Sequence, residues 1–458
     1  MHFQDSILAI ILRLHPGRWI LLTRSCPAIL ILALALACGD GSSNTADEVQ
    51  VIFWHAMGGP LGEYLEDTLI EEFNATHPGI RVIPVSMGNY RALCQKILAS
   101  VMAGDTPVVA QAYETWTSQL IRGEALVPLD SLMRLDDPAV TERWENDFFT
   151  VFRRNNTYNG RIYSFPFNKS VQALYYNTQL MDSLGLRPPA TWEEYRMVLD
   201  SLTHDGNDDG DLMDDCDRWG TAFNPSVGMF ENLLLQNGGA LLSSDSSSTA
   251  FNSPEGIEAL QLLIHLIYTD SSARISSGYT HQNDFLEGKV GMVQGSTVSL
   301  SFLENTVERM ENSGDDVFTL GIAPLPAGRE KAVIIAGTNV ILFRSDSATV
   351  RAGWEFIKWF TEPEQQARWS AATGYIPATE SSLDHSAIRE RFQEYPGLEE
   401  VMLQVEYAQF EPQGTFWYDG RMFLSEAVEI AIYGRMSAEE ALERAARLAD
   451  AELESELD

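Results

Sequence analysis

Val49 to Glu114, VQVIFWHAMGGPLGEYLEDTLIEEFNATHPGIRVIPVSMGNYRALCQKILASVMAGDTPVVAQAYE, decides the fold. Val51, Ile52, Phe53 and Trp54 form an apolar run too short for a helix, and Gly58-Gly59-Pro60 stops it, so a buried strand is predicted. Leu61, Tyr64, Leu65, Leu69 and Phe73 then recur at three- and four-residue steps, which predicts a helix with one apolar face, ended by His77-Pro78-Gly79. Ile80 to Val85 reads as a second strand, Tyr90 to Ala103 as a second helix, and Pro107 to Ala112 as a third strand. A βαβαβ order implies parallel strands, whose ligands bind beyond the carboxyl ends. Those ends carry Trp54-His55, Gly88-Asn89-Tyr90 and Tyr113-Glu114.

Outward from this stretch, strands and helices keep alternating. Arg161 to Phe167 and Ala173 to Tyr176 read as strands. Thr191 with Glu194 forms a capping box that opens a helix, and Ser253-Pro254 opens another. A turn at Glu287-Gly288 precedes a strand, the chain crosses at Ile322 to Pro326, and Val333 to Phe343 is strand-like throughout. Thr361 is expected to cap a helix beginning at Pro363, and the tail from Ser437 reads as an amphipathic helix with Leu442, Ala446 and Leu448 inward.

The chain has 458 residues, 45% hydrophobic and 21% charged, which suits a globular protein of two domains. Its net charge of −34 argues against nucleic acid or an anionic membrane surface as partner. Arg18 and Arg24 precede the apolar run Pro27 to Ala37, too short to span a bilayer, and Cys38 follows. Residues 1–37 therefore read as an export signal, Cys38 as a lipidated first residue, and 38–48 as a polar tether, placing the protein in the periplasm or at the cell surface. An ordinary secretory peptide is the alternative. Cys94 and Cys216 read as two unpaired thiols.

The segments FWHAMGGPLG, GNY and QAYE, with PFNKSVQALYYN at Pro166 to Asn177, FLEGKVGM at Phe285 to Met292, IIAGTNV at Ile334 to Val340 and TGYIP at Thr373 to Pro377, resemble the extracellular solute-binding proteins of ABC importers, and within them the branch that binds sn-glycerol 3-phosphate. The matches run in order over nearly the whole mature chain. The resemblance implies an α/β fold of two lobes, crossed more than once and closed by hinge bending around an interlobe ligand. Lobe one is placed at 49–165 and 322–376, lobe two at 166–321 and 377–450. It also implies a monomer that hands its solute to membrane permease subunits.

By the same resemblance Tyr90, Glu114, Ser170, Ser296, Gly337 and Tyr375 fall at ligand positions. Glu114 would accept from hydroxyl groups, and Ser170, Ser296 and the Gly337 N–H would donate to oxygens. Thr297 rivals Ser296. The family's phosphate-binding arginine aligns without gaps on Gln413, so either Arg421 is expected to substitute for it or the site is expected to prefer an uncharged ligand. Glutamine cannot grip phosphate as an arginine fork does. The expected solute is sn-glycerol 3-phosphate or a glycerophosphodiester, with a neutral sugar or oligosaccharide as the alternative.

Read from the residues alone, Trp54, Tyr90, Tyr113, Trp116, Trp219, Tyr375, Trp417 and Tyr418 stand beside Gly, polar or charged neighbours, where aromatic faces suit the C–H faces of polyols and sugars. Core packing is their competing role. Asp205-Gly206-Asn207-Asp208-Asp209-Gly210-Asp211, with Asp215 nearby, spaces oxygens as a calcium loop does, and such an ion would be structural; an acidic surface turn is the alternative. No G-x-S-x-G, H-E-x-x-H or P-loop motif is present, which argues against an enzyme and requires no cofactor. A secreted glycoside hydrolase remains the reading from another class, since so many carboxylates would pair somewhere by chance.

Overall fold

A computed structural model describes residues 48–457 except 208, 209, 211 and 213–216. The βαβαβ unit forms as its periodicity predicts. Val49–His55 pairs in parallel with Ile80–Ser86 on one side and Val109–Ala112 on the other. The connecting helix is not uniform: Tyr64–Ile70 winds as a π-helix between α-helical turns at Gly59–Glu63 and Glu71–Thr76. Leu65, Leu69, Ile70 and Phe73 are fully buried by this winding. Apolar spacing alone does not distinguish it from an ordinary helix.

Asn339–Leu342 adds antiparallel to Val109–Ala112, and Ser164–Pro166 adds beyond it, completing a five-stranded sheet. A second five-stranded sheet runs in the order Leu320–Pro324, Gln172–Asn177, Val290–Ser296, Trp219–Phe223, Ala273–Ile275. The chain passes from the first sheet to the second through residues 167–171 and returns through 325–338. Leu320–Pro324, which straddles the expected boundary at 321/322, pairs along its length with Gln172–Asn177 of the second sheet.

Val333 to Phe343 is two strands, Val333–Ile334 and Asn339–Leu342, rather than one. Gly337, with φ of +99°, turns the chain between them, a conformation a strand cannot hold. Thr361 donates its hydroxyl back to the carbonyls of Ile357 and Lys358, so Glu362 stands at the cap of Pro363–Thr373. The C-terminal helix Ala438–Leu457 buries Leu442 and Ala446 against Trp417–Ile432, but Leu448 is exposed. Two residues on from Ala446 is about 200° around the helix. Among the described residues no helix is long and apolar enough to cross a membrane.

Candidate functional site

The chain crossings make the floor of a cleft. Ser170 and Ala336 exchange backbone hydrogen bonds of 3.0 and 2.9 Å, Ile376 N–H donates to Lys169 O at 2.7 Å, and Ile335 N–H to Gln409 O at 2.8 Å. Gly337 sits where these segments are closest. A Cβ there would stand 1.9 Å from the Asn168 carbonyl oxygen, so only glycine fits.

The larger chamber of the cleft, about 770 Å³, is lined by Tyr90, Ser170, Ser296, Gly337 and Tyr375, five of the residues expected from the sequence. Tyr113, Asn168, Gln172, Asn224, Gln282, Gln294 and Tyr279 join them. The strand-end rule is visible here: Tyr113 follows Val109–Ala112, Asn224 follows Trp219–Phe223, and Ser296 ends Val290–Ser296. Helices begin at the chamber too, with Tyr90 opening one and Ser226 capping Val227–Gln236. Among the described residues, no Asp, Glu, Lys or Arg lines this chamber. His281 does, and burial lowers its pKa against the pull of Asp284, which keeps it neutral at pH 7. Burial raises the phenols of Tyr90, Tyr113 and Tyr375, so all three remain protonated.

The smaller chamber, about 390 Å³, shares Tyr113, Ala336 and Gly337 with the first and holds Glu114 and Arg421, together with Arg91, Trp116, Glu411, Trp417 and Tyr418. Its main charges are already engaged. Lys169, 1% exposed, places Nζ 2.9 Å from Glu114 Oε1 and 3.1 Å from Gly337 O. Asn339 Nδ2 donates to the same Glu114 oxygen at 3.2 Å. Burial pulls the Lys169 pKa down, and the Glu114 carboxylate opposes that shift. Arg421 Nε lies 2.9 and 2.8 Å from the two oxygens of Glu411, which also accepts from Trp417 Nε1 at 2.9 Å. Behind this pair, Glu231 is fully buried with neither carboxyl oxygen hydrogen-bonded. Burial first, and then the Glu411 carboxylate, push its pKa well above the ordinary value, against the pull of Arg421.

The other sequence candidates lie elsewhere. Trp54 packs against the core cluster that contains Leu93, Ile97 and Ile341, on the strand face opposite Phe53, and lines neither chamber. Trp219 begins its strand, at the end away from Phe223, and donates to Leu212 O at 2.8 Å. Gln413 is turned away from the cleft: Nε2 donates to Asn155 O at 2.7 Å while its carbonyl accepts from Ser118. Asp205 accepts from the N–H groups of Asn207 and Gly210, and Asp217 from that of Gly206. Asp209, Asp211 and Asp215 lie outside the described residues, as do Cys38 and Cys216; among the described residues no group of three His, Cys, Asp or Glu is placed to hold a metal. Cys94 is a buried free thiol.

Asn168, Lys169, Glu231 and Glu411 were not singled out from sequence. A signal existed for two of them: Asn168 and Lys169 are polar residues caught between the apolar strands SFPF and ALYYN.

Residues 68–400 match the family of the bacterial extracellular solute-binding protein. The sn-glycerol-3-phosphate-binding periplasmic protein UgpB of Yersinia pseudotuberculosis is 25% identical over 375 residues, 80% of this chain and 82% of that one. UgpB of Escherichia coli K12 is 25% identical over 389 residues, 81% and 84% of the two chains. Among solved structures, UgpB from Mycobacterium tuberculosis in complex with glycerophosphocholine superposes with a TM-score of 0.74 at 20% identity, covering 89% of this chain and 99% of that one. The cyclic alpha-maltosyl-1,6-maltose binding protein from Arthrobacter globiformis gives 0.72 at 24% identity, covering 89% and 100%. With a two-lobed α/β fold and a cleft at its strand ends, the chain belongs to the bacterial extracellular solute-binding proteins, the substrate-binding components of ABC importers.

Proposed function

We propose that this binding protein captures a neutral, polyhydroxylated solute of the saccharide class in its larger chamber and delivers it to a membrane permease, as a receptor and not as an enzyme. The observation that carries this reading is the uncharged lining of that chamber, where amides, serine hydroxyls and tyrosines match the hydroxyls and C–H faces of a sugar. A phosphate taken out of water needs charge-assisted donors, typically worth roughly 1.5–3 kcal/mol each. The two arginines of the cleft sit in the smaller chamber, Arg421 held by Glu411 and Arg91 exposed.

A glycerophosphodiester is the second reading. It is supported by the ligands named for the UgpB relatives and by the position of Arg421, whose guanidinium faces the smaller chamber beside Tyr418.

Titration calorimetry with maltose, trehalose, sn-glycerol 3-phosphate and glycerophosphocholine separates the two. Stoichiometric binding of a saccharide with no heat from glycerol 3-phosphate is the expected result. Binding of glycerol 3-phosphate or glycerophosphocholine alone would overturn the first reading and leave the second.

A further inference from the structure

Behind the two cleft tyrosines runs a chain of hydrogen bonds with one direction. The Ala56 N–H donates to Gln111 Oε1 at 2.5 Å, and Gln111 Nε2 donates to Thr338 Oγ1 at 3.1 Å. Thr338 Oγ1 lies 2.5 Å from Asn168 Oδ1, and the Thr338 backbone N–H is 2.9 Å from the same oxygen. Asn168 Nδ2 then lies 2.8 Å from Tyr90 Oη and 3.1 Å from Tyr375 Oη. Gln111, Thr338 and Asn168 are all fully buried.

The direction is not a matter of choice. A backbone N–H can only donate, so the N–H groups of Ala56 and Thr338 fix the carbonyl ends of Gln111 and Asn168 and forbid a flip of either amide. The nitrogen of Asn168 must then face the tyrosines, and its two hydrogens match the two phenolic oxygens. Each phenol accepts from behind and keeps its own hydrogen. Within the protein Tyr375 Oη reaches the Met57 sulfur, at 4.0 Å. A thioether is a weak acceptor, and a solute oxygen would displace it readily.

We propose that Asn168 sets the hydrogen-bond polarity of this wall of the cleft, making Tyr90 and Tyr375 acceptors internally and donors toward the solute, so that the wall selects an oxygen presenting lone pairs. Ring, glycosidic and phosphoryl oxygens share that chemistry; an ammonium or amide N–H does not. The proposal rests on the reading of this cleft as the solute site, and Asn168 acts as a positioning residue through the tyrosines.

The test pairs a spectrum with a titration. A phenol that accepts has a lower C–O stretching frequency than one that donates, because donation strengthens the C–O bond. Infrared difference spectra of wild type minus Tyr90→Phe, and minus Tyr375→Phe, isolate each band in the unliganded protein. The expected bands are of the acceptor type, and in Asn168→Asp, whose carboxylate must accept from both phenols, they move up to the donor type. Asn168→Asp should also weaken by at least about tenfold whichever of maltose, trehalose or glycerophosphocholine the wild type binds. Tyr90→Phe and Tyr375→Phe should each weaken it several-fold, and they keep the proposal open to refutation if Asn168→Asp does not fold. Donor-type bands in the wild type, or unchanged affinity in the folded variants, would overturn it. If none of the three solutes binds, the saccharide and phosphodiester readings fall, and the wild-type bands alone decide the polarity.

Discussion

The two chambers meet at Tyr113, Ala336 and Gly337, yet they treat charge in opposite ways. In the larger one, the polar lining consists of fixed dipoles: amides, hydroxyls and the starts of helices. In the smaller one, full charges are present, and beside the exposed Arg91 they are bound in pairs, Glu114 to Lys169 and Arg421 to Glu411. A buried ion pair gains little net stability over an apolar replacement, but removing one partner strands the other. The smaller chamber is therefore costly to alter at its ion pairs, and the larger one is exacting in hydrogen-bond geometry.

The hardest blow to this contrast is Lys169→Met. It leaves Glu114 partly buried without its cation and Gly337 O without its donor, and should cost about 3–5 kcal/mol in urea unfolding. Adding Glu114→Gln should recover part of the loss. A cost below about 1 kcal/mol would mean that the pair does not brace the smaller chamber.

Next in size is Glu231. Its folded pKa lies above the ordinary 4.5, so the folded chain keeps a proton that the unfolded chain has released. Stability then falls as pH rises through that window, by at most about 1.36 kcal/mol per pH unit. Glu231→Gln should flatten this slope and raise the melting temperature more at pH 7 than at pH 5. Parallel pH profiles of wild type and variant would show that Glu231 ionises freely.

The smallest expected effect sharpens the comparison most. Arg421→Ala should change saccharide affinity by less than about tenfold, 1.4 kcal/mol, because its guanidinium opens on the smaller chamber only. A larger loss in calorimetry would join the two chambers into one site.

How much of this could be read from the sequence follows from the range of the interactions. Local periodicity carries the βαβαβ unit, since buried faces and turn residues are properties of neighbours along the chain. Tyr90, Ser170, Ser296, Gly337 and Tyr375 were reachable through motif resemblance. The partners that give them their chemistry were not. Asn168 meets Tyr90 78 residues away and Tyr375 207 residues away, and Lys169 meets Glu114 across 55. Trp54 and Trp219 show the complementary failure. Residue type marked them as sugar-facing, but the face of one strand and the direction of the other point them elsewhere. Glu114 was read as an acceptor for solute hydroxyls, and one of its oxygens already serves a buried lysine.

The position of residues 167–171 and 335–338 also has a mechanical meaning. Any rotation of one lobe on the other turns about these crossings, and displacement grows with the length of the lever arm. Asn168 and Gly337 belong to these crossings, where the arm is short, while Tyr279, 75% exposed, and Phe302 line the chamber outside them. In such a rotation the residue that orients the cleft tyrosines, Asn168, would travel little, and the exposed aromatics away from the crossings would travel further.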